Sequence, residues 1–145
     1  MAKKIAQFGT ISHGTMREED LIPAFISALR DLGHRSKVLS RIERECETKD
    51  YYYYDDATYD LEDLFNMLQE HAPEFAYFGA HPGDGSDYGF WLSESFEDEF
   101  DGLKVADTSD IPASYRGYVL HVNDHGNMTL YNQTARKLTE IWGIV

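Results

Sequence analysis

Two turns rich in His and Asp carry the residue types of metal chemistry. His81-Pro82-Gly83-Asp84-Gly85-Ser86-Asp87 and His121-Val122-Asn123-Asp124-His125 each set imidazole close to carboxylate. Brought together, His81, Asp84, Asp87, His121, Asp124 and His125 would form a mixed nitrogen and oxygen ligand set. Such a set suits zinc, manganese or iron, with an activated water for hydrolysis. Reinforcing motifs are missing, since there is no HExxH and Asp84-Gly85-Ser86-Asp87 lacks the ligand series and terminal Glu of an EF-hand loop. Gly, Asn and Asp also satisfy tight-turn backbones with no ligand at all. Turn formation is the favoured reading, and no metal or other cofactor is expected.

Other catalytic templates fail. Gly9-Thr10-Ile11-Ser12-His13-Gly14 lacks the Lys-Ser/Thr ending of a phosphate loop, and no GxSxG elbow occurs. Ser12 next to His13 is adjacency in sequence, which does not make a nucleophile and its base. Cys46 is the only cysteine, so neither an intrachain disulfide nor a cysteine-based zinc site can form. A lone thiol with no activating motif reads as inert and fits a reducing cytosol.

A second kind of chemistry is recognition by charge. Asp50-Tyr51-Tyr52-Tyr53-Tyr54-Asp55-Asp56 runs on through Tyr59, Asp60, Glu62 and Asp63, and Glu94-Ser95-Phe96-Glu97-Asp98-Glu99-Phe100-Asp101 forms a second acidic run. Crowded carboxylates repel one another and are kept for solubility, for a metal or for a cationic partner. Spread over ~20–30 Å, they would present a field like that of nucleic-acid phosphates and draw in a groove lined with Lys and Arg. Aromatic side chains between them would supply the anchors of a specific interface. The expected contacts are Asp55, Asp56, Asp60, Glu94, Glu97, Asp98, Glu99 and Asp101, with Tyr53 and Phe96 as anchors.

The charge distribution agrees with this choice. The 145 residues include 13 Lys and Arg against 26 Asp and Glu, for a net charge of −13. Residues 1–44 carry +3, residues 45–110 carry −17, and residues 111–145 carry +1. A chain this acidic is a poor direct ligand for nucleic acid or an anionic membrane. The hydrophobic content of 42% and aromatic content of 14% argue against disorder. No stretch of ~18 apolar residues offers a membrane span, and no apolar segment follows the basic start as in a signal peptide. The expected location is cytoplasmic.

Elements must hold these groups. Ile5–Phe8 reads as a first strand. Leu21, Phe25, Ala28, Leu29 and Leu32 make one apolar stripe of a helix over Leu21–Leu32, stopped by Gly33. Asp20, or Thr15 with Glu18, would cap it, and Pro23 is tolerated in its first turn. Lys37–Glu45 reads as a strand, with Val38, Ser40, Ile42 and Arg44 on one face. A second helix over Leu61–His71 would be capped by Asp60 and stopped by Pro73, with His71 near its end complementing the dipole. His13 and His34 read as surface or capping residues. Phe75–Gly79 and Tyr88–Leu92 read as strands around a long turn. Tyr118–Val122 and Met128–Tyr131 form a hairpin through Asn123–Asn127, and Lys137–Trp142 closes the sheet. The fold class is α+β, two helices with a mainly antiparallel sheet, in a single domain over residues 1–145 with its acidic excess in 45–110.

The stretches Tyr77–Trp91 and Leu120–Tyr131, with His13-Gly14-Thr15-Met16 through Phe25, resemble small uncharacterised proteins of bacteriophages and related mobile elements. In size and acidity the chain is also similar, as a class, to phage anti-CRISPR and anti-restriction inhibitors, several of which imitate nucleic acid. The resembling stretches carry no activity with them; the charge pattern leads to the expectation of a small non-enzymatic inhibitor of phage type, in the host cytosol, that blocks the basic nucleic-acid-binding surface of a host defence or DNA-processing protein. The alternatives are a metal-dependent hydrolase built on the two turns and an oligomeric structural or interaction module.

Overall fold

Leu21, Ile22, Phe25, Ile26 and Leu29 recur at helical spacing, and in the computed structural model, which describes residues 4–145, they form the buried face of the first helix. The fold is α+β, with four α-helices and two sheets among the described residues rather than two helices and one sheet. The chain divides into two compact units, Met1–Glu94 and Ser95–Val145.

In the first unit, β1 (Gly9–Ser12) precedes α1 (Glu18–Asp31) and α2 (Lys37–Glu45). A 3₁₀ turn over Tyr51–Tyr53 leads to α3 (Asp56–Gln69), and the hairpin β2 (Tyr77–His81) and β3 (Asp84–Trp91) completes the unit. The strands lie in the order β1-β3-β2, all antiparallel. The first strand thus begins at Gly9, not within Ile5–Phe8. Its partner must be glycine at one place, because a Cβ on Gly89 would stand 2.1 Å from the Gly9 carbonyl oxygen.

Phe25 sits at the centre of the core, edge-on to Phe65 and Phe78 at 5.2 Å and to Tyr88 at 6.0 Å. Leu64 and Leu68 of α3 and Leu39 and Ile42 of α2 are fully buried around the same core. Each such side chain contributes about 1.5–3 kcal/mol through removal from water.

α1 starts one turn earlier than its apolar stripe implies. Arg17 occupies the cap position with no side-chain cap bond, while Thr15 accepts from the Arg17 amide and donates to Asp20. Glu18, Glu19 and Asp20 complement the helix dipole instead. Pro23 therefore lies inside the helix, where it withholds one backbone donor. Gly33, at φ +71°, follows the helix end as expected.

Lys37–Glu45 is a helix, not a strand. Ser36 caps it by accepting the Leu39 amide at 3.0 Å, and only Leu39 and Ile42, three apart, are buried. An alternating reading mixes Ile42 with Arg44 on one face; a helical one separates them.

In the second unit, α4 (Phe96–Glu99) precedes β4 (Leu103–Val105), a 3₁₀ turn at Thr108–Asp110, and β5 (Gly117–Val122), β6 (Met128–Gln133) and β7 (Leu138–Ile144). The sheet order is β4-β5-β6-β7, with β4 and β5 parallel and the other pairs antiparallel. The β5–β6 hairpin forms where the Asn/Asp/Gly run places it. Asn123 Oδ1 accepts the amides of His125 and Asn127, and Gly126 takes φ +81°. Val119, Leu120, Leu130 and Trp142 are buried, and Phe96 packs on Trp142 at 5.8 Å.

Candidate interaction surface

The four tyrosines are arranged by one buried carboxylate. Asp50 adopts a left-handed backbone (φ 66°), a conformation Asp tolerates, and turns the chain into the 3₁₀ segment. Tyr51 then points inward, and its hydroxyl donates to Asp60 Oδ2 at 2.6 Å. Asp60 is 4% exposed and receives Arg41 Nη2 at 2.9 Å on its other oxygen. Arg41 also reaches Glu45 at 3.2 Å, so α2, α3 and the tyrosine turn are tied through one group. Hydrogen bonds donated to Asp60 and then to Glu45 raise the Arg41 pKa further, and burial followed by the bond to Asp60 raises that of Tyr51.

With Tyr51 buried and Tyr52 half-buried, Tyr53 and Tyr54 face outward, 83% and 63% exposed, their rings edge-to-face at 5.3 Å. The 3₁₀ turn thus leaves two of the four rings outside. Tyr59, one helical turn into α3, is 65% exposed. Asp55, Asp56, Glu62 and Asp63 are exposed around it, at helical spacing along the outer face of α3. Tyr54, Tyr59, Glu62 and Asp63 belong to this face although only Tyr53, Asp55 and Asp56 were expected as contacts. Extending the helix back to Asp56 puts Asp56, Tyr59, Glu62 and Asp63 on one stripe.

Two expected contacts are corrected. Asp60 neither caps α3 nor faces a partner, because it is buried between Arg41 and Tyr51. Phe96 is 7% exposed and belongs to the core of the second unit with Phe100 and Trp142. The remaining acids fall into two groups. Asp55, Asp56 and Glu94 are exposed on the first unit; Glu97, Asp98, Glu99 and Asp101 are exposed on the second. There the Lys104 ammonium donates to the Glu97 carbonyl.

The His/Asp turns are occupied with local bonds. His81 accepts the Gly83 amide on Nδ1 at 2.9 Å and packs edge-on against Trp91 at 4.7 Å, in a two-residue turn rather than a long one. Asp84 accepts from the Ser86 amide and hydroxyl, and those bonds, with His13 at 3.5 Å, lower its pKa. Asp87 has a buried, unbonded Oδ1. His121 Nε2 lies 3.1 Å from the Ala106 carbonyl oxygen, and Asp124 and His125 are exposed at the tip of their hairpin. Among the described residues no three His, Cys, Asp or Glu side chains gather as a metal site requires.

His71 lies just past the end of α3, where the sequence places it, and is 3% exposed, with Nδ1 at 2.7 Å from the Lys4 carbonyl oxygen and Nε2 at 2.8 Å from His34 Nδ1. The Cys46 thiol is half-buried, and burial, reinforced by Glu47, raises its pKa, which disfavours the thiolate.

No protein-family model, curated protein or solved structure matches this chain. No described helix is long and apolar enough to cross a membrane.

Proposed function

We propose that this chain is a non-enzymatic binding protein that engages a cationic surface of a partner protein through Tyr53, Tyr54, Tyr59, Asp55, Asp56, Glu62 and Asp63. One observation carries the reading: three tyrosines are more than half exposed beside the exposed carboxylates Asp55, Asp56, Glu62 and Asp63. Solubility accounts for the carboxylates but not for the rings. A tyrosine face accepts the guanidinium or ammonium of a partner by cation–π contact, while a neighbouring carboxylate pairs with the same group. Tyrosine also adds large contact area at low entropic cost, as in the anchors of specific interfaces.

The net charge of −13 supports the same choice of partner. Lys/Arg grooves that hold nucleic acid are the common protein surfaces of opposite charge, and occupation by this face would exclude nucleic acid from them. The protein would thus act as a competitive inhibitor of a nucleic-acid-handling protein. The test is recovery from host lysate at low and high salt, comparing the natural protein with Y53A/Y54A/Y59A. Salt-sensitive retention of a Lys/Arg-rich nucleic-acid-binding protein, lost in the variant, supports the reading. The same proteins retained by the variant would overturn it.

A further inference from the structure

The first unit holds nine basic residues against eighteen acidic ones, yet four of the nine meet at one concavity. Arg30 of α1, Arg35 and Ser36 of the α1–α2 connection, and Lys37, Ser40 and Arg44 of α2 line an open hollow of about 670 Å³. Lys37, Ser40 and Arg44 recur at helical spacing, opposite the face that buries Leu39 and Ile42.

Arg30 is the fixed wall of this hollow. Its guanidinium pairs with Glu43 at 2.7 Å and donates to the His34 carbonyl at 3.3 Å and to Ser40 Oγ at 3.4 Å. Glu43 is thereby neutralised, and its pKa is lowered by the Arg30 hydrogen bond. The other three cations have no such compensation. Among the described residues, the side chains of Arg35, Lys37 and Arg44 make no ion pair or hydrogen bond, although carboxylates outnumber cations twofold. The first turn of α2 contains no acidic residue that would offset Arg35 and Lys37. Like charges held together without counter-charge raise the energy of the folded chain, and an anion seated among them lowers it.

We propose that this hollow is a binding site for a small ligand bearing a diphosphate group. Arg35 and Arg44 offer planar forks for bidentate contact to phosphate oxygens, and Lys37 adds a point charge. The Ser40 hydroxyl, with its oxygen turned to Arg30, keeps its proton for a ligand oxygen. Three uncompensated cations match the charge of a diphosphate better than that of a single phosphate. This site is independent of the tyrosine face, and either can fail alone.

The experiment is titration of the full chain with inorganic pyrophosphate, read by calorimetry and by backbone amide shifts. Orthophosphate and adenosine diphosphate serve as comparison ligands. Saturable one-to-one binding is expected, with shifts centred on residues 35–44 and affinity about tenfold or more above orthophosphate. R35Q/K37Q/R44Q should lose about tenfold or more of that affinity while keeping its thermal transition, since all three side chains are exposed. Adenosine diphosphate binding more tightly than pyrophosphate would mark a nucleotide as the source; equal affinity would mark the phosphates alone; both support the site. Absence of saturable binding, shifts centred elsewhere, or unchanged affinity in the triple variant would overturn it.

Discussion

Arg41 Nη2 lies 2.9 Å from Asp60 Oδ1, and this contact decides which tyrosines reach solvent. Asp60 is buried, and its two oxygens are taken by Arg41 from α2 and by the Tyr51 hydroxyl at 2.6 Å. The turn that follows Tyr51 is thereby set, and Tyr53 and Tyr54 are directed outward.

The first prediction concerns this group. Losing one partner of a buried ion pair costs about 3–5 kcal/mol, but the Arg41 side chain is 39% exposed and solvent screens part of its contribution. R41M should therefore destabilise the protein by about 2 kcal/mol in urea. Y51F should cost about 1 kcal/mol through the lost hydrogen bond. The double variant should depart from additivity by about 0.5 kcal/mol or more, because both changes act on one carboxylate. Strict additivity would mean that the three groups are not coupled.

Alkaline pH probes the same neighbourhood. Burial raises the pKa of Tyr51, Tyr52 and Cys46, with Asp60 adding to the effect on Tyr51. In the unfolded chain these groups ionise near their ordinary values, 9.0 for the thiol and 10.0 for the phenols. Between the ordinary and the raised values the unfolded state binds fewer protons than the folded state, so stability falls as pH rises. The contribution is intact below pH 9.0 and declines above it. Urea midpoints measured upward from neutral pH should show this decline, and Y51F should flatten the part that begins near 10.0.

Much of the fold was legible where one period dominates a segment. The stripe of α1, the β5–β6 hairpin and the closing strand follow from apolar spacing and turn chemistry. Lys37–Glu45 was not, because Leu39 and Ile42 are its only buried residues and a short segment with two anchors fits either period. Ser36 was the overlooked signal, a cap residue one position before the run. In the candidate site, exposed and buried tyrosines are identical in local sequence. Only the long-range partner of Asp60, Arg41, separates Tyr51 from Tyr53. The pairing of His34 with His71, 37 residues apart, was equally out of reach of local pattern.

That imidazole pair fixes a tautomer. The Lys4 carbonyl can only accept, so His71 Nδ1 carries the proton at 2.7 Å. In the neutral ring Nε2 then accepts from His34 Nδ1–H at 2.8 Å. Long-range proton–nitrogen correlation at neutral pH should show both rings protonated on Nδ1. Signals from the opposite tautomer of His71 would contradict the arrangement.

Phe96 separates a core residue from an anchor. It is 7% exposed and packs against Phe100 and Trp142. F96A should cost about 3–5 kcal/mol of stability, as large-to-small changes of buried aromatics do. Denaturation of the variant would show the loss directly. An effect under about 1 kcal/mol would return Phe96 to the surface.

The two acidic groups differ in what accompanies their charge. Asp55 and Asp56 sit among Tyr53, Tyr54 and Tyr59, all exposed, whereas the rings next to Glu97, Asp98 and Glu99 include Phe96, which is buried in its own unit. Charge without desolvated anchors steers encounter but holds a complex weakly, so loss of the two groups should differ in kind. E97K/D98K/E99K should slow association and change its salt dependence, while D55K/D56K should also hasten dissociation, weakening binding by about 2–5 kcal/mol. Neither variant should shift stability by more than about 2 kcal/mol, since every position is exposed and the cost is confined to cations placed at the N-termini of α3 and α4. Association and dissociation rates against the captured partner provide the check. If the α4 triple reversal raises the dissociation rate more than D55K/D56K does, the contact face lies on the second unit and the tyrosines are not its anchors.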